Sequence, residues 1–111
     1  VLDVNHIAKY ELPDVVRISI ENQNGVELPH EQIEVEYNYP ILKMQTDSKG
    51  RTIVTGDMIR KGLSDYISSY GIMDYKGDYA CQRYIYLHVG SVKKSIDLSK
   101  NQKEIEVDIR V

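Results

Sequence analysis

The chain has 111 residues, 17 acidic and 14 basic, for a formal net charge of -3 and a pI near 5.6. It therefore lacks the basic footprint that displaces counterions from nucleic-acid phosphates, and nucleic acid is excluded as a partner. Hydrophobic residues at 41% and charged residues at 28% describe one globular domain with enough core to fold without metal or disulfide staples, and no apolar run approaches the roughly 18–20 residues of a transmembrane helix.

The first fourteen residues, "VLDVNHIAKYELPD", are weakly patterned and read as a short strand or a linker tail ending near Pro13, ahead of a single domain over 15–111. A start at Val1 rather than Met, with no signal peptide, makes a trimmed mature form or an excised piece the expectation. In "VVRISIE", Val16, Ile18 and Ile20 point one way and Arg17, Ser19 and Glu21 the other, the pattern of a strand with one dry face. Asn24-Gly25 follows as a tight-turn signal. In "IEVEYNY", Ile33, Val35, Tyr37 and Tyr39 alternate with Glu34, Glu36 and Asn38, and Pro40 then marks an edge, a bulge or a bend.

Asp47-Ser48-Lys49-Gly50 looks at first like a phosphate or metal loop. A phosphate loop needs more glycines, a Lys-Ser or Lys-Thr pair after the last of them, and a following helix. A calcium loop needs several converging oxygens. Here Arg51-Thr52 follows and the chain continues as strand, so the stretch reads as a hairpin turn, with Asp47 bonding forward to the backbone and Gly50 left-handed. Ile59, Leu63, Tyr66, Ile67 and Tyr70 then recur at three- and four-residue steps, which predicts one amphipathic helix over 58–69, with Asp57 as N-cap and Gly71 as the C-terminal stop. Gly62 inside it costs about 1 kcal/mol against alanine. A loop leads to a strand near 80–89, Gly90-Ser91 closes a hairpin into "VKKSIDL", and "IEVDIRV" ends the chain in strict alternation. The sum is a mainly β fold: a seven-stranded antiparallel Greek-key sandwich, transthyretin-like or Ig-like, with one short helix.

"VRISIENQNGVELPHEQIEVEY", "TDSKGRTIV", the late "YIYLHV" and the closing "IEVDIRV" together resemble the carboxypeptidase regulatory-like domains of the transthyretin-like fold, in order over residues 16–111. The resemblance implies a seven-stranded sandwich that is secreted or at the cell surface, non-catalytic, and accessory to a larger protein, with no catalytic residues to transfer. Bacterial surface lipoproteins contain such modules, so it also implies an extracytoplasmic location, periplasm or cell surface, with a lipid anchor before trimming as one form. Pro29-His30-Glu31 stands where small residues are usual, and the helical segment replaces a short strand.

Candidate chemistry is sparse. His6, His30 and His88 lack metal-ligand spacing. Cys81 is the single cysteine and, on a continuous strand, shares parity with Ile85, Leu87 and Val89 as a small buried filler. The carboxylates at Glu34/Glu36 and Glu104/Glu106/Asp108 stand on wet strand faces, as edge protection. No catalytic, cofactor or metal residue is assigned. The aromatics are the informative feature: nine tyrosines, no phenylalanine and no tryptophan, six of the tyrosines within 66–86. Tyrosine must supply all the large aromatic packing, with its hydroxyl kept near water or a partner. On the strand near 84–88, Tyr84, Tyr86 and His88 face opposite to Ile85, Leu87 and Val89 and form a contact patch, unless Ile59, Leu63 and Tyr66 of the helix cover it. The expected function is a non-enzymatic module that binds a protein or glycan through this patch, or a spacer beside a neighbouring domain. The alternatives are a subunit of a surface assembly joined by edge-strand addition and a small hydrolase or metal-binding protein.

Overall fold

A computed structural model describes residues 10–70 and 83–111. Seven strands form two sheets, joined by one helix: β1 (Val15–Glu21), β2 (Gln32–Tyr37), β3 (Tyr39–Gln45), β4 (Arg51–Thr55), α1 (Gly56–Tyr70), β5 (Tyr84–Val89), β6 (Val92–Asp97) and β7 (Glu104–Arg110). One sheet has the order β4-β1-β7 and the other β3-β2-β5-β6. Among the described residues only β2–β3 and β5–β6 are hairpins within a sheet. The inward residues of both sheets make one core: Val16, Ile18 and Ile20 of β1, Ile33, Val35 and Tyr37 of β2, and Ile85, Leu87 and Val89 of β5, with Val107 and Ile109 of β7. These are the positions that the period-two alternation picks out.

The sheets are not wholly antiparallel. β7 runs parallel to β1, Val16 opposite Ile105 and Ile20 opposite Ile109, while β4 flanks β1 antiparallel on the other side. Parallel neighbours need a long connection, and nearly the whole domain lies between these two. Alternation has the same period in both arrangements, so it could not distinguish them. The run ending at Tyr39 also divides. Asn38 takes a positive φ of 66°, and Tyr37 and Tyr39 become cross-strand partners. Pro40 sits on the edge strand beside a bulge opposite Val35/Glu36, the kind of position at which a sheet tolerates proline.

The 47–50 turn is built as expected and used differently. Asp47 Oδ1 accepts from the N–H of Lys49 at 2.8 Å and of Arg51 at 3.0 Å, and Gly50 has φ 74°. Those two backbone donors hold the Asp47 carboxyl below its ordinary pKa. The turn does not close a hairpin, because β3 and β4 belong to different sheets. Beside it, Thr46 is the one buried polar residue among those described. Its hydroxyl donates to Leu28 O at 2.8 Å and accepts from Glu31 N at 2.9 Å, fastening the β1–β2 connection to the end of β3.

The helix begins earlier than its pattern suggests, and its cap is Thr55, whose Oγ1 accepts from Met58 N at 3.2 Å. Asp57 lies in the first turn and pairs with Arg60 at 2.9 Å. Gly71 lies outside the described residues. The helix packs on β3 and β4, the edge strands of the two sheets on one flank. Ile59 is fully buried, and Tyr66 stacks on Tyr39 with ring centroids 4.8 Å apart. Gly62 explains itself here: a Cβ would stand 3.0 Å from both Ile41 O and Leu42 Cδ2, so the absent side chain sets how closely the helix lies on β3.

Candidate functional site

β5 lies inside the four-stranded sheet, between β2 and β6. Because Ile85, Leu87 and Val89 fill the core, Tyr84, Tyr86 and His88 stand half-buried on the outer face. The three residues of the expected patch are thus side by side. The Tyr84 and Tyr86 rings are tilted by 30° with centroids 6.0 Å apart. His88 Nε2 lies 2.8 Å from Glu36 Oε1 on β2, a cross-strand pair that fixes the imidazole. The packing partners of α1 are β3 and β4, on the flank of the sandwich.

Four more residues complete the face, among them Glu36, whose carboxylate the sequence already places on a wet strand face. Lys93 Nζ sits 4.1 Å from the Tyr86 ring centroid, and the Arg83 guanidinium carbon 5.2 Å from that of Tyr84. Both are in cation–π range. Arg83 is clamped to Asp97 by two hydrogen bonds of 3.1 and 3.0 Å, and Asp97 also accepts from the hydroxyl of Ser99 at 2.7 Å and its N–H at 2.9 Å. The Arg83 bonds, then those from Ser99, hold the Asp97 carboxyl well below the usual carboxylate range, and the same contact raises Arg83. Glu36 is the fourth. The signal for Lys93 and Asp97 was present: a two-residue turn at Gly90-Ser91 fixes the register, with His88 opposite Lys93 and Tyr84 opposite Asp97.

The face is rich in hydrogen-bond donors. Two phenols, a guanidinium and an ammonium project from it, and two of the acids, Glu36 and Asp97, are engaged by neighbours. The other residues singled out do not converge on it. His30 lies in the exposed β1–β2 loop with φ 57°, and His6 and Cys81 lie outside the described residues. Glu104 of β7 pairs with Arg17 at 3.1 Å on the other sheet's outer face. There Arg17, Arg51, Ile53, Glu106 and Asp108 line an open groove of about 710 Å³ whose charges are of both signs. Among the described residues no group of three or more His, Cys, Asp or Glu is placed to hold a metal ion. No helix among them is long and apolar enough to cross a membrane.

Comparison with protein-family models, curated proteins and solved structures returned no match for this chain.

Proposed function

We propose that the chain is a non-catalytic, extracytoplasmic binding module whose contact surface is the outer face of the four-stranded sheet, centred on Tyr84, Tyr86 and His88, and that its partner is a protein with an acidic or carbonyl-rich surface. The observation that carries this reading is the cation over each tyrosine: Lys93 on Tyr86 and Arg83 on Tyr84. A sugar stacks on a bare aromatic face, and these faces carry charge instead. Tyrosine and arginine held stiffly together are the residues enriched where proteins bind proteins. A carboxylate or a peptide carbonyl meets donors here that are already oriented, Arg83 by Asp97 and His88 by Glu36.

The extracytoplasmic placement, as a module of a bacterial surface protein, rests on the sequence resemblance. The transthyretin-like Greek-key reading of the fold is supported by the strand order, with two in-sheet hairpins and the remaining connections crossing between sheets. A second reading, assembly by edge-strand addition, is supported by β6 and β7, the sheet edges on the flank away from α1.

The test is retention of extracellular proteins and of a polysaccharide panel on the immobilised domain, comparing wild type, Tyr86→Ala and Ile53→Ser on the opposite sheet. A protein retained by wild type and Ile53→Ser, and weakened at least about tenfold by Tyr86→Ala, supports the reading. Polysaccharide binding lost in Tyr86→Ala would replace the protein by a glycan. Binding that is indifferent to Tyr86 would remove the face from the account.

A further inference from the structure

Of the four sheet edges, β3 and β4 are covered by α1, while β6 and β7 have a strand on one side only among the described residues. An unpaired edge is a template for another strand unless it is blunted. From the open backbone of β6 and its side-chain charges we infer that two copies of this chain pair antiparallel through β6, about a two-fold axis at Ser95. This rests on the second reading above and names its edge, register and partner.

The register follows from the hairpin. Gly90-Ser91 is a two-residue loop, so Val89 and Val92 form a hydrogen-bonded pair, and pairs alternate from there: Leu87 with Lys94 and Ile85 with Ile96 exchange bonds with each other. The backbone groups of Lys93, Ser95 and Asp97 therefore point away from β5, to the open side. Pairing these three with a second copy places Ser95 opposite Ser95, Lys93 opposite Asp97, and Asp97 opposite Lys93. The charges opposed on that face are then of opposite sign, which favours a self-complementary two-fold contact, while Lys93 and Asp97 keep Tyr86 and Arg83 as their partners within each copy. On the inner side the Lys94 stem lies along Ile96 of the other copy. Shifting the axis to Lys94 would set lysine against lysine.

Lysine on an edge ordinarily discourages pairing, but Lys93 does not guard this one. Its ammonium lies over the Tyr86 ring, across the sheet face and toward β5. β7 is different. In an antiparallel self-pair centred on Val107, Glu106 would meet Asp108, like charges opposed. The β6 contact joins two four-stranded sheets into one of eight. Rotation about an axis normal to the sheet keeps both Tyr84/Tyr86 rows on the same side, so the dimer presents two copies of the candidate contact face together. An edge of six residues is small, and a weak, concentration-dependent dimer is expected.

Sedimentation equilibrium up to about 1 mM protein reads the state directly. The expected result is reversible dimerisation. Ser95→Pro removes the central outward N–H and weakens it at least about tenfold, with a monomer dichroism spectrum like wild type. Lys93→Glu, which sets acid against Asp97, weakens it comparably. In a Cys81→Ser background, Ser95→Cys forms an interchain disulfide on oxidation, because hydrogen-bonded partners stand roughly 5.5 Å apart, and Ser91→Cys at the hairpin tip does not. A monomer at every concentration, or a dimer that Ser95→Pro leaves intact, overturns the inference. Since Ser95→Pro leaves Tyr84 and Tyr86 in place, partner binding by that variant separates failure of the edge from failure of the face.

Discussion

Replacing Thr46 by valine keeps shape and volume and deletes one hydroxyl that serves two backbone groups. Leu28 O loses its donor at 2.8 Å and Glu31 N its acceptor at 2.9 Å, in a residue only 2% exposed. Each buried backbone group left without a partner costs about 1–3 kcal/mol. Part of that is recovered, because the loop on the other side of these bonds is exposed and water can reach it once it loosens. The neighbouring bonds, Thr46 N to Glu31 O at 3.0 Å and His30 N to Thr46 O at 3.1 Å, do not depend on the side chain. The net expectation is a loss of about 2–3 kcal/mol. With a urea slope of roughly 1–3 kcal/mol per M for a domain of this size, the midpoint falls by about 1–2 M. Thr46→Ser keeps the hydroxyl and removes a methyl, costing about 1 kcal/mol. Urea unfolding followed by dichroism compares the three proteins. If valine is as stable as serine within about 0.5 kcal/mol, the hydroxyl does not clamp the loop and the placement of 28–31 against the end of β3 is wrong.

Tyr86→Ala is expected to weaken partner retention at least about tenfold while the unfolding midpoint moves little, since the ring lies on the outer face; affinity measured beside urea unfolding separates the two effects. Gly62→Leu forces a side chain where even a Cβ meets Ile41 O at 3.0 Å, and is expected to cost about 1–3 kcal/mol in urea unfolding although leucine is the better helix former. Asp97→Asn tests the arginine clamp through pH. The folded carboxyl titrates below its ordinary value near 3.8, so its contribution is complete above that value and is lost as pH falls through the lower, folded pKa. Stability measured from pH 5 downward should fall less steeply in the asparagine variant; equal slopes would deny the clamp.

The strands were legible because each has one dry face. Val16/Ile18/Ile20 and Ile105/Val107/Ile109 alternate cleanly, and those inward faces are the ones the core uses. Partner and direction were not legible in the same pattern. Alternation is blind to whether β7 runs with or against β1, and the split at Asn38 hides in it because both sides of that turn keep the same parity. The helix was legible from Ile59, Leu63 and Tyr66, but its place on the flank depends on Gly62, which as a sequence feature only lowered helix propensity. The Tyr84/Tyr86/His88 row could be read from parity alone. The cations above the rings needed the register across the hairpin, and Arg83 needed Asp97 at the far end of β6 to hold it.

The proposed contact face requires the tyrosine row of β5 to lie on an outer face under Lys93 and Arg83, with α1 packed on the flank. Side-chain nuclear Overhauser contacts of the labelled domain test this most directly. The expected result is contacts from the Lys93 terminal methylene to the Tyr86 ring, ring-current-shifted lysine resonances that return to ordinary positions in Tyr86→Ala, and Tyr66 contacts to Tyr39. Contacts from Ile59, Leu63 or Tyr66 to Tyr84 or Tyr86 would contradict it, because the helix would then occupy the surface assigned to the partner.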